Sequence, residues 1–174
     1  HAMALGYQCQ TPNRSSRLKA ISLDSVIAIT GKSRRTWWRR ISEGDINRAP
    51  DDEKGRAMLS WSDVAPHVCI PMTAEEQDIV LRADTNDADA QNDIGLIFLS
   101  ASKHEEAIYW LKRSAQQENP DAMQGLGSCY LSGSGVPKDD YLGIMWISKA
   151  ASYGHMIAKA QMAALWPGYV AIQK

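Results

Sequence analysis

The chain has 174 residues, a formal net charge of −1, 44% hydrophobic and 22% charged residues. That composition excludes collagenous, mucin-like and wholly disordered chains, and the length allows one average domain or two small ones. The near-zero charge is a sum of opposites. Residues 1–72 carry 11 Lys and Arg against 7 Asp and Glu, whereas residues 73–174 carry 8 against 13. Halves of +4 and −5 point to two modules with different partners, and to an attraction between them. No run approaches the about 18 apolar residues of a membrane span. Cys9, Cys69 and Cys129 are spaced too widely for a metal knuckle or a dense disulfide framework, so a reducing, cytoplasmic setting is expected. His1-Ala2-Met3 reads as a vector remnant, and residues 1–20 as a basic, flexible arm.

After the arm, Ile21 to Thr30 reads as a short helix with Val26 and Ile29 inward. Gly31-Lys32-Ser33 makes a tight turn, and Ser33 is placed to cap a second helix from Arg34 to about Glu43, ended by Gly44. Ile46–Arg48 and Ala57–Trp61 are expected to pair as strands around the polar loop Pro50–Gly55. Ser62-Asp63 then caps a short helix through Val68. Helix, three-residue turn, helix, hairpin is the outline of a winged helix-turn-helix. The string Leu23, Val26, Ile29-Thr30-Gly31, Ser33-Arg34, Thr36-Trp37-Trp38-Arg39, Ile41, Gly44 is similar to the start of MerR-like and phage-excisionase-like winged helices. The resemblance covers about 45 residues and implies a DNA-binding or protein-docking module.

On the second helix Trp37 and Ile41 face one way, Arg35 and Arg39 the other. If this helix enters a major groove, Arg35 and Arg39 are the candidates for guanine edges, and Arg34, Trp38, Lys32 and Arg40 for phosphates. A solvated basic helix on a small structural domain would carry the same charges.

Thr73 to Ala83 reads as a lone helix, with Thr73 as N-cap and Glu76 three residues on. Two similar copies follow. Asp89 to Ser100 aligns with Asp121 to Ser132 at an offset of 32, and Glu106 to Ala115 with Leu142 to Ala151 at an offset of 36. The difference is the turn Gly133-Ser134-Gly135-Val136-Pro137. A third copy begins at Gly154-His155 and supplies one helix, Ala158 to about Leu165. Each copy reads as two helices, with Ala122, Leu126 and Tyr130 on one face. Gly95, Gly127, Ala107 and Gly143 fall where a partner helix must come close. One helix pair cannot bury its apolar face, so the copies must stack as a small right-handed solenoid.

The run Ala122, Leu126-Gly127, Tyr130, Gly133, Gly135-Val136, Asp139, Trp146, Ala150-Ala151, Gly154-His155 resembles the Sel-one-like repeat, a relative of the tetratricopeptide repeat. Gly143 replaces the usual Ala, and the first copy lacks the G-x-G-V turn. The resemblance implies a protein-binding scaffold.

No catalytic constellation assembles. Gly31-Lys32-Ser33 lacks the glycine of a phosphate loop, for which Val26 stands. His67, His104 and His155 are scattered, and His155 is placed to cap a turn. Cys129, Trp110 and Trp146 read as packing residues. The expected architecture is mostly α: a winged helix-turn-helix over 21–70, then an α-solenoid of stacked antiparallel helix pairs over 73–174. The expected function is a non-enzymatic, bacterial-type adaptor or regulator without cofactor or metal. Its solenoid would bind protein through a concave face bearing Asn92, Gln124, Tyr130 and Lys159, and its N-terminal module DNA. A pure protein scaffold (an assembly, secretion accessory or toxin-immunity factor) is the alternative.

Overall fold

The computed structural model describes residues 19–166; Cys9 and all but the end of the basic arm lie outside them, as do residues 167–174. The N-terminal unit runs β1 (Ala20–Ser22), α1 (Leu23–Thr30), α2 (Arg34–Ser42), β2 (Arg48–Ala49), β3 (Met58–Ser60) and α3 (Trp61–Val64), followed by a 3-10 turn over Ala65–His67. A lone helix, α4 (Ala74–Asp84), opens the second half. Behind it come α5 (Ala88–Ser100), α6 (His104–Gln116), α7 (Pro120–Ser132), α8 (Asp140–Ser152) and α9 (Met156–Leu165).

Local chemistry sets most of these boundaries. The Ser33 hydroxyl accepts the Thr36 N–H, and Thr73 with Glu76 forms a complete capping box. His155 does cap α9, its side chain accepting from the Ala158 N–H. Three sequence expectations change. Ile21 and Ser22 are not helical: they form β1, which pairs antiparallel with β3 in the order β1-β3-β2, Ile21 opposite Leu59. Ser22 becomes the N-cap of α1. The second strand is Arg48–Ala49 rather than Ile46–Arg48. The helix expected to start behind Ser62-Asp63 begins at Trp61, because Trp61 is buried and its N–H is taken by the Lys19 carbonyl at 2.8 Å. The freed Asp63 carboxylate instead accepts from the backbone and side chain of Asn47, both at 2.9 Å, bonds that hold its pKa below the usual carboxylate range.

Val26, Ile29 and Trp37 are fully buried, with Ile41 packed beside them. Trp37 Nε1 donates to Thr30 Oγ1 at 3.2 Å, so the indole is satisfied inside the core. The same apolar cluster continues without a break through Val80, Ala83, Ile94, Phe98 and Ala107 to Trp110. The charge boundary near Met72 is therefore not a boundary of the core. A second cluster, around Leu111, Met123, Leu126, Cys129 and Ile147, holds the later helices.

Glycine sets the closest helix approaches. A Cβ on Gly127 would lie 2.7 Å from Ile147 Cγ1 and 2.8 Å from the Gly143 carbonyl oxygen, and one on Gly95 would lie 2.8 Å from Leu111. A polar ladder links successive copies. Asn119, the cap of α7, donates to Asp89 at 2.9 Å, and His155, the cap of α9, meets Asp121 at 3.1 Å.

Candidate functional site

Three places collect the residues with chemistry to offer: the outer face of α2, the junction between the N-terminal unit and α4, and the row formed by α5, α7 and α9.

On α2 the predicted contact residues divide by environment. Arg34 is paired with Asp24 at the surface. Lys32 and Arg40 are half-buried, their cationic ends 6.0 and 5.9 Å from the Trp37 ring centre. Arg35, Trp38 and Arg39 face solvent, with Glu43 4.0 Å from Arg39 and the Arg48 guanidinium 5.7 Å from the Trp38 ring. The Gly31 turn is close to α6: a Cβ on Gly31 would lie 2.9 Å from Glu106 Oε1, and Lys32 and Ser33 line a shallow cleft with Glu105, Glu106 and Tyr109. Two carboxylates thus stand beside the start of the helix that carries the arginines.

His67 meets Arg40 from below: Arg40 Nη1 lies 3.1 Å from His67 Nε2, and the imidazole packs edge-on to Trp37 at 5.6 Å. Arginine has no acceptor, so the imidazole accepts and is neutral. Burial, then Lys32 and Arg40, push the His67 pKa below the ordinary histidine value. A folded pKa below the unfolded one gives a contribution present in full above the unfolded value and lost as pH falls through it toward the folded value. Lowering the pH from about 7.5 to about 5.5, across the ordinary histidine pKa of about 6.5, is therefore expected to lower Tm. His67→Gln, which keeps an acceptor for Arg40 but does not titrate, should flatten that profile. An unchanged profile in the variant would show that His67 does not carry it.

The junction is built on Asp84, which is 2% exposed at the end of α4. Its carboxylate accepts from the Ser22 N–H at 3.1 Å, the Ser22 hydroxyl, the Ser25 hydroxyl at 2.7 Å and Arg56 Nη1 at 3.2 Å. Arg56 also donates to Asp52 at 2.7 Å, and its backbone N–H and guanidinium hold the Asp52 carboxyl below its usual range. One buried carboxylate thereby ties together β1, the start of α1, the loop before β3 and the helix that opens the repeats. Lys19 and Asp78 add a surface pair at 2.6 Å. The expected attraction between the halves takes this form: each cross-pair joins a base of the N-terminal unit to an acid of α4. Sequence reading missed Asp84. Its signal is faint: a carboxylate four residues after Val80, on the buried stripe of α4.

Along the repeat row, Gln124 donates to Ser128 and to Gln161, each at 3.1 Å. Tyr130 is half-buried, with the Lys112 ammonium 5.9 Å from its ring, and Lys159 is half-buried on α9. Asn92 is buried. Leu96, one turn after Asn92, is 43% exposed. Cys129 is buried among apolar side chains, which pushes its thiol pKa up, away from the thiolate a nucleophile needs. Among the described residues no three His, Cys, Asp or Glu side chains are grouped to hold a metal ion, and no helix is long and apolar enough to cross a membrane.

Helix pairs of fixed length, glycines at the crossings and a ladder between caps define the unit of 32 to 36 residues. Residues 88–119 and 120–155 match the Sel1 repeat. The two matched segments correspond to α5–α6 and α7–α8. No curated protein matches the chain. Among solved structures, a Sel1 repeat protein from Oxalobacter formigenes is 31% identical over 50% of this chain and 26% of its own length, with a TM-score of 0.47. A protective antigen of uropathogenic Escherichia coli strains, displaying an SLR fold, is 31% identical over 52% of this chain and 21% of its own, with a TM-score of 0.49. The chain spans about a quarter or less of the length of either.

Proposed function

We propose that the protein is a non-enzymatic scaffold whose Sel1 repeats bind another protein along the row of α5, α7 and α9, and whose N-terminal unit, of winged helix-turn-helix type, seals the open end of that row. The observation that carries this reading is the continuous core from Ile21 to Trp110. Terminal repeats of a solenoid need an end that faces water, and here the N-terminal unit supplies it. Exposed Leu96 and Asp93 and half-buried Ser128 and Lys159 leave a mixed polar and apolar row of the kind protein partners use. Photo-crosslinking side chains placed singly at Leu96, Ser128 and Lys159 of the full chain test it in an extract of the source cell. One adduct shared by at least two of these sites is expected. A pattern equal to that from exposed Lys149, on helix α8 outside the row, would remove the reading.

A second reading is favoured by the exposure of Arg35 and Arg39: α2 contacts duplex DNA. Glu105 and Glu106, beside the start of α2, would repel phosphates there, which is why it stands second. If three phosphates are neutralised, affinity for mixed duplex DNA falls roughly 40-fold between about 50 and 200 mM salt. Arg35→Ala with Arg39→Ala should weaken that binding by removing the two groups assigned to guanine edges. Binding undetectable at the lower salt, or indifferent to the double substitution, sinks the DNA reading and leaves the scaffold.

A further inference from the structure

The two ends of the repeat row are finished differently. At α4 the core runs on into the N-terminal unit. At α9 no further helix follows among the described residues. Of the large apolar side chains exposed among those residues, all but Trp38 and Leu96 lie between Tyr141 and Trp166.

The residues on this end depart from the pattern of the earlier copies. Beside α9, α7 carries the polar stripe Asp121, Gln124, Ser128: Asp121 meets His155, and Gln124 donates to Ser128 and to Gln161. Shifted by 36 residues, the equivalent stripe on α9 is Ile157, Ala160, Ala164. All three polar residues are replaced by apolar ones, and all three replacements are exposed. The ladder of cap to acid uses Asp89 and then Asp121, and its next rung is Ile157, 62% exposed. An isoleucine cannot accept from the cap of another copy, so the ladder stops at α9. On α8, Ile144 stands where α6 has Ile108. Ile108 is 6% exposed under the following copy, and Ile144 is 38% exposed.

We infer that this end face is a self-association surface, on which α9 packs antiparallel against α9 of a second copy about a twofold axis. Charge favours a copy as the occupant. Ile144, Ile157, Ala160, Ala164 and Leu165 carry none, so the face meets itself without repulsion, in a half of the chain that is otherwise net acidic. Shape favours it too. Alanines lie inside the stripe and large side chains at its ends. In an antiparallel crossing about Gln161 the alanines let the helices approach, and Ile157 of one copy lies opposite Leu165 of the other. The exposed parts of Tyr141, Ile144, Ile157, Leu165 and Trp166 give the face its area. At about 150–250 Å² for a whole aromatic side chain and somewhat less for an aliphatic one, they amount to several hundred Å², approaching the about 800 Å² that each partner gives to a standard interface. The dimer carries two copies of every other surface, the row of α5, α7 and α9 included.

Sedimentation equilibrium of the full chain tests this. A dimer with a Kd at or below about 10 µM is expected. Ile157→Asp with Ala160→Gln and Ala164→Ser gives α9 the stripe of α7, and should raise that Kd at least about tenfold. Leu96→Asp, at an exposed apolar residue of α5 away from this face, should leave it unchanged. In dilute solution, where both proteins are monomers, the triple variant should keep the Tm of the unmodified chain, because the three positions are exposed. If it does not, Ile157→Asp alone serves, since an acid in the first turn of a helix is favourable. A monomer up to about 100 µM, tenfold above the expected Kd, overturns the inference and leaves residues 167–174 or a different protein as the cover. A dimer indifferent to the α9 substitutions, or dissolved equally by Leu96→Asp, overturns it as well.

Discussion

Asp84→Ala is expected to cost about 3–5 kcal/mol of folding stability, the range for breaking a buried ion pair by removing one partner. The carboxylate is the shared acceptor of the Ser22 backbone N–H, two hydroxyls and the Arg56 guanidinium. Alanine leaves all of them facing a dry pocket at the N-terminus of α1, where a negative charge is favoured. For a chain of this size each kcal/mol moves Tm by roughly 2–4 °C, so a fall on the order of 10 °C is expected. Asp84→Asn should cost less, since its carbonyl can still accept from Ser22, while its amide group opposes Arg56. Urea titration followed by circular dichroism measures both. A loss under about 1 kcal/mol for the alanine variant would mean that the junction is held by apolar packing alone. Because stabilities of single domains are about 5–15 kcal/mol, the expected loss is a large share of the whole, concentrated in one residue that contacts two parts of the chain.

The second large effect is expected at Gly127. Replacement by leucine drives a side chain into Ile147 and the Gly143 carbonyl, and the second of these is main chain, which cannot swing aside. A loss of about 3 kcal/mol is expected, at the upper end of ordinary overpacking. A neighbouring glycine supplies a control of opposite sign. Gly125→Ala, two residues away on the same helix, should stabilise by about 0.5–1 kcal/mol, since helix propensity improves and the new methyl meets nothing closer than 3.8 Å. Thermal unfolding of the two variants side by side separates a glycine required by a helix crossing from one that the packing does not require. Equal effects at both positions would show that α7 and α8 can spread apart at little cost.

The long helices were legible because their signals are local. Thr73 and Glu76 sit three residues apart, Ser33 and Thr36 likewise, and the stripe Ala122, Leu126, Tyr130 follows from the helix period. The offsets of 32 and 36 residues exposed the stacking, and the Sel1 match covers the same two helix pairs. The site residues were less legible. A helical wheel distinguishes the face with Trp37 from the face with Arg35 and Arg39, and the structure places them so. It does not reveal that Lys32 and Arg40 bend back onto Trp37, or that Arg34 is engaged by Asp24. Those contacts depend on χ angles and on neighbours from other segments.

By itself the sequence determined the class of each long element, the caps Ser33, Thr73 and His155, the repeat and the opposed charges of the two halves. Each of these is written within one or two helix turns, or in a period that the chain displays by repeating itself. The tertiary structure decided the rest. The strand Ala20–Ser22 is three residues long and acquires its identity only by pairing with Met58–Ser60. Asp84 finds its hydroxyl partners 59 and 62 positions back along the chain. Interactions that close across such separations leave no periodic trace in the sequence, since each end is a single residue of ordinary type. They decide that two modules of opposite charge share one core.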